Sequence, residues 1–150
     1  MSPEEMRRAL LTDPKTGMPN RRAFDEGETS PYVAMADVNG LKALNDRFGY
    51  AAGDVLIQRF ADTVVEVGLD AYHDKGDEFL FKGKSFRDLN QKLSEALRLL
   101  KTQPFAVCGL DGRVTTIGGI GFCFGIGMNL EEAEQSLKRQ KELAKLSKKG

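Results

Sequence analysis

The chain has 150 residues, enough for one hydrophobic core and too few for two comfortable ones. Its 22 Lys+Arg and 22 Asp+Glu cancel to a formal net charge of 0, which argues against a nucleic-acid or anionic-membrane surface; 41% hydrophobic and 29% charged residues argue against disorder. The two cysteines, Cys108 and Cys123, make no disulfide framework and read as ordinary buried thiols, and a single histidine, His73, leaves no zinc cluster and no ready hydrolase triad.

Ser2-Pro3-Glu4-Glu5 has capping-box spacing with proline in the first turn, which predicts a short helix to about Leu10. The N-terminus lacks an apolar signal region, and no run approaches the roughly 18 apolar residues of a membrane span, so the expectation is a soluble, cytoplasmic protein. Thr12 to Asn20 is dense in turn residues and predicts a structured loop, followed by a short helix from Arg21 to Glu26. Pro31 to Val38 is a mostly apolar, β-forming run and predicts a buried strand with Asp37 near its end. Asn39-Gly40 turns the chain into a helix from Leu41 to Phe48, closed by Gly49. Val55, Leu56, Phe60 and Val64 predict a second helix, from Gly53 to about Glu66.

Ala71-Tyr72-His73 and Glu78-Phe79-Leu80-Phe81 read as strands joined by a hairpin at Asp74-Lys75-Gly76-Asp77. Ser85 caps a long helix whose face is Phe86, Leu89, Leu93, Leu97 and Leu100. Phe105 to Cys108 and the run from Val114 to Ile126 predict strands about a turn at Asp111-Gly112, and Asn129 with Glu132 opens a last helix to about Leu146. The order is a βαββαβ core with one extra hairpin. That predicts an α+β fold, ferredoxin-like or palm-type, with an antiparallel-rich sheet and helices on one side. One domain over 1–150 is expected, with an N-terminal helix over 1–11 and a core over about 12–146.

Asp37 ends a buried strand where the chain enters a helix. Free N–H groups at such a place suit phosphate, and a carboxylate beside them suits Mg²⁺; a plain helix cap is the alternative. If the hairpin pairs beside the Asp37 strand, Asp37 and Asp77 converge with Glu78 beside them. Carboxylates there clamp divalent ions and lower the pKa of an attacking hydroxyl; a solvated acidic turn has the same spacing. His73 reads as structural. Phe79, Phe81, Phe122 and Phe124 read as core aromatics, because no basic residues interleave them.

Three segments carry a resemblance. Asn45-Asp46-Arg47-Phe48-Gly49-Tyr50-Ala51-Ala52-Gly53-Asp54 resembles the pattern N-D-x-x-G-H/Y-x-x-G-D of the GGDEF domains, the diguanylate cyclases. The segment from Asp13 to Phe24 resembles that family's D-x-L-T-G-L-P-N-R-R-x-F, with Lys15 in place of leucine. Lys75-Gly76-Asp77-Glu78-Phe79 falls where the signature pentapeptide belongs.

The resemblance implies the palm-like fold, condensation of two GTP into cyclic di-GMP, a Mg²⁺ (or Mn²⁺) cofactor, and a homodimer with one GTP per protomer. It implies catalytic roles for Asp37, Asp77 and Glu78 and a metal set of Asp37, Val38 and Asp77. Asn45 and Asp54 match the pair that reads guanine. Asn39, Gly40 and Leu41 match the turn whose backbone N–H groups hold the triphosphate, with Lys42 beside it; Lys75 and Gly76 stand on the substrate side of the hairpin. Lys145 matches a phosphate-binding lysine of the last helix, and Gly119 and Gly121 match a strand S-x-G with glycine replacing serine. Neither nucleic acid nor membrane is an implied partner.

The departures are specific. Lys75 replaces the first glycine of the pentapeptide, where it obstructs GTP or strains the turn, or else lends its charge to a phosphate. Asn39 replaces an aspartate. Glu66 and Leu69 stand where the family's inhibitory R-x-x-D belongs, which removes that feedback route, and Lys148-Lys149-Gly150 replaces a final G-R-N. Two further functions stay open: a degenerate, non-catalytic domain that binds GTP or a cyclic dinucleotide and signals through a partner protein, and a related nucleotidyltransferase with another product.

Overall fold

The computed structural model describes residues 1–149. The side chains of residues 148–150 lie outside the described residues, and with them the reading of Lys148-Lys149-Gly150. The chain runs α1 (Pro3–Leu11), α2 (Arg21–Glu26), β1 (Tyr32–Val38), α3 (Leu41–Phe48), α4 (Tyr50–Glu66), β2 (Asp70–Lys75), β3 (Glu78–Gly83), α5 (Phe86–Thr102), β4 (Phe105–Cys108), β5 (Val114–Ile117), β6 (Phe122–Gly127) and α6 (Leu130–Lys149). Four strands form one antiparallel sheet in the order β2-β3-β1-β6, and β4 and β5 pair as a separate hairpin. That is the expected α+β arrangement. Among the described residues no helix is long and apolar enough to cross a membrane.

Helices cover both faces of the sheet, not one. Strand alternation sends Ala34, Ala36, Phe79 and Phe81 to one side, where Leu56, Phe60 and Val64 of α4 and Leu89, Leu93 and Leu100 of α5 bury them. Val33, Met35 and Leu80 point to the other side and meet Phe24 of α2 and Ala133 and Leu137 of α6. Central strands apolar on both faces require a second layer.

Several predicted boundaries moved, two of them at glycines. α4 begins at Tyr50, because Gly49 (φ 94°) closes α3 and opens α4 in a single residue. The run from Val114 to Ile126 is broken at residues 118–121, so Gly119 and Gly121 lie in irregular chain rather than in a strand. There Gly119 lies against the Lys101 carbonyl at the end of α5, where a Cβ would not fit, and Ile120 N–H donates to Leu100 O at 2.9 Å. Neither cysteine is fully buried: Cys108 faces solvent from a strand that alternates in and out, and Cys123 is half-buried.

Candidate functional site

The sheet brings the acidic residues together through its ladder. In the β1–β3 register Asp37 lies opposite Glu78, and Val38 N–H donates to Asp77 O at 2.9 Å. Strand β2 runs through Lys75, which pairs with Glu78, so the turn is only Gly76-Asp77 and Gly76 alone takes a positive φ, 49°. The β2 register is irregular between His73 and Lys75, but Lys75 takes no positive φ, so no left-handed strain falls on it and its exposed side chain is what can act on a substrate.

His73 holds this turn from below. Its Nδ1 is 2.8 Å from Asp13 Oδ2 and its Nε2 is 2.9 Å from Gly76 O, while the ring stacks on Phe79. The residue is buried and structural, as expected, and its structural work is to tie the loop after α1 to the acidic hairpin.

Asp37 shares a face with Met35 and therefore looks toward α6. A hollow of about 190 Å³ there is lined by Met35, Asp37, Asp77, Glu78, Leu137 and Lys141, among others. The Lys141 ammonium is in contact with Asp37 and is held above its ordinary pKa by it. Burial, and then Asp37, push the Asp77 carboxyl above the usual range; burial, and then Asp74, do the same to Glu78. Lys141 reaches the carboxylates because α6 lies very close to β6: a Cβ on Gly125 or Gly127 would collide with the α6 backbone at Ala133 and Leu137. The expected lysine, Lys145, is one turn further along α6, exposed and outside the hollow. Lys141, four residues earlier, is the lysine that lines the hollow.

A second cluster sits at the α3–α4 junction. Asn45 is on the last turn of α3 and Asp54 on the second turn of α4, and the Gly49 N–H···O=C Asn45 bond of 2.8 Å closes the junction between the helices. Asn45 Oδ1 is buried with no hydrogen-bond partner among the described residues, an arrangement that costs about 1–3 kcal/mol unless a ligand answers it. It lies against Gly53, where a Cβ would overlap the carboxamide. Gly53 is thus a site residue that the motif contained but the reading gave no role. Asp54 is half-exposed and 3.0 Å from Lys15 Nζ.

α3 joins the two clusters. Its N-terminus at Gly40 (φ 82°) has no side-chain cap, which leaves first-turn N–H groups, Leu41 among them, open to an anion; Lys42 is exposed on that turn. Asn39 is different from expectation: its backbone N–H already donates to Gly121 O at 2.9 Å, so that group pins the turn and is not free for phosphate.

The profile described as "Diguanylate cyclase, GGDEF domain" matches residues 10–145. The chain belongs to the GGDEF family. It is 31% identical to diguanylate cyclase DgcN of Escherichia coli and 29% identical to diguanylate cyclase DgcP of Pseudomonas aeruginosa, over 93% and 92% of this chain. It spans only 36% and 23% of those two proteins. The coiled coil and GGDEF domain of DgcB from Caulobacter crescentus, in complex with c-di-GMP, superposes with a TM-score of 0.68 at 23% identity, over 98% of this chain and 85% of that one. Diguanylate cyclase SiaD of Pseudomonas aeruginosa, in complex with its activator SiaC, superposes with a TM-score of 0.71 at 22% identity, over 93% of this chain and 61% of that one. These likenesses establish the GGDEF fold.

Proposed function

We propose that this GGDEF domain binds one GTP, guanine at Asn45 and Asp54 and phosphates at the sheet end, and that two copies condense their nucleotides into cyclic di-GMP in the cytoplasm. The observation that carries the reading is the convergence of Asp37, Asp77 and Lys141 on one hollow, with Gly40, the uncapped N-terminus of α3, three residues along the chain from Asp37. The eight residues of α3 rise about 12 Å, a length that suits a nucleotide with its base at one end and its phosphates at the other.

Among the described residues no three His, Cys, Asp or Glu side chains are placed to hold a metal by themselves. Two carboxylates still suit Mg²⁺ or Mn²⁺, since Mg²⁺ keeps several waters and takes its remaining oxygens from substrate phosphates. Asp37, Asp77 and Val38 would hold it, and when bound it supplies the charge that acidifies a 3′-hydroxyl and polarises the α-phosphate. Lys141 offers a cation to phosphate oxygens, and Glu78, its pKa raised, is suited to handle a proton. Asn45 and Asp54 offer an amide and a carboxylate to the guanine edge, which adenine would leave mispaired.

The exposed Lys75 at the hairpin rim favours the alternative, a domain that binds nucleotide and signals by contact with a partner protein. Incubation with GTP and Mg²⁺, followed by nucleotide chromatography, separates the two. The cyclase reading expects cyclic di-GMP and pyrophosphate; GTP bound and recovered unchanged would assign the binder.

A further inference from the structure

The loop between α1 and α2 is held rigidly. Thr16 donates to Asp13 Oδ2 twice, from N–H at 2.9 Å and from Oγ1 at 2.7 Å, and Gly17 N–H donates to Asp13 O at 2.8 Å. His73 ties the loop to β2 at both ends, through Asp13 Oδ2 and through its own N–H to Pro19 O at 2.9 Å. Lys15 projects from this loop and sets its Nζ 3.0 Å from Asp54 Oδ1.

Both side chains are more than half exposed, at 59% and 52%, so the pair adds little to stability. Each partner also keeps bonding capacity: two ammonium hydrogens on Lys15, and the remaining lone pairs of the Asp54 carboxylate. The pair is therefore a donor fixed beside an acceptor, at the carboxylate assigned to the base. Guanine presents the complement in the same order, an O6 acceptor beside N1–H and N2–H donors. Adenine presents the reverse, an N6–H donor beside an N1 acceptor.

We infer that Lys15 is a base-reading residue, whose ammonium donates to the O6 carbonyl of a guanine nucleotide held through Asp54. The inference rests on the guanine reading of Asn45 and Asp54 and adds a residue to it. It also gives a purpose to the departure at this position, where the family pattern has leucine.

The test is calorimetric titration of the whole chain with GTP and with 6-thio-GTP, which keeps N1–H and N2–H but replaces O6 with a poor acceptor. Lys15→Leu should weaken GTP binding about tenfold, as expected for loss of a hydrogen bond to a charged donor. Lys15→Arg should restore most of it. The thio analogue should bind the wild type more weakly than GTP does, and Lys15→Leu should leave its affinity unchanged. GTP binding that is unchanged or tighter in Lys15→Leu, while Asp54→Ala still weakens it, would show Lys15 to be a surface ion pair or a stopper over Asp54. That outcome overturns the inference and leaves the guanine reading standing. GTP binding indifferent to both substitutions, or no GTP binding at all, overturns the two together.

Discussion

The two clusters of the site are built in different ways. At the sheet end, backbone pairing does the placing: a six-residue register between β1 and β3 sets Asp37 against Glu78, and the Val38–Asp77 hydrogen bond locks the turn. At the α3–α4 junction, placement depends on single side chains and on one missing Cβ, with Asn45 lying in the space that Gly53 leaves. The first cluster can lose a side chain without losing its shape. The second is sensitive to one methyl group.

Substitutions at the sheet end should therefore remove chemistry and spare the fold. Asp77→Ala is expected to lower GTP turnover about a thousandfold or more, the several kcal/mol that a metal-holding carboxylate supplies, with an unaltered circular dichroism spectrum. Loss of folded structure in this variant would mean that the ladder does not place the carboxylates alone.

At the junction the expected effect is smaller and of another kind. Gly53→Ala displaces the Asn45 carboxamide and should weaken GTP binding about tenfold, the loss of roughly one good polar contact. Its melting temperature should hardly move, because alanine gains up to about 1 kcal/mol of helix propensity against the displacement. Unchanged GTP affinity would remove Asn45 from base recognition.

Lys75→Gly separates bulk from backbone at the hairpin. Since Lys75 takes no positive φ, glycine relieves no left-handed strain and should cost about 0.5–1 kcal/mol of stability. Turnover should nevertheless rise a few-fold, as the side chain leaves the rim. Slower turnover with weaker GTP binding would show instead that the lysine contacts phosphate.

The smallest effect is on stability. The unfolded pKa of Asp77 is near 3.8 and its folded pKa is higher, so the folded state binds the extra proton. Stability from this group is present below the unfolded value and is lost as pH rises through the folded one. In the absence of metal, Asp77→Asn should therefore melt a few degrees above the wild type at neutral pH and level with it well below the carboxylate range. A variant less stable at neutral pH would show that the ionised carboxylate is already compensated in the fold.

How far the sequence could be read follows the same division. The convergence of Asp37 and Asp77 was legible, because a hairpin that pairs beside a strand brings their ends together whatever the side chains do. The choice between Lys141 and Lys145 was not, because a polar helix with lysines at 138, 141 and 145 does not announce which turn faces the sheet. Gly125 and Gly127 decide it by letting α6 descend onto β6. The double layer was present in the two-sided apolar pattern of β1 and β3, which the reading of helices on one side passed over. Asn39 matched a phosphate-holding turn, yet its N–H is taken by Gly121, a contact between residues 82 positions apart that no local pattern reports.

The central claim is that both clusters serve one nucleotide, and one set of calorimetric titrations tests it. GTP and ATP are titrated into the wild type, Asp54→Ala and Asp37→Ala, each with and without Mg²⁺. The account predicts that the wild type prefers GTP and binds it more tightly with Mg²⁺, that Asp54→Ala loses the preference but keeps the Mg²⁺ effect, and that Asp37→Ala does the converse. Equal affinity of the wild type for GTP and ATP, or GTP binding insensitive to Mg²⁺, would contradict it.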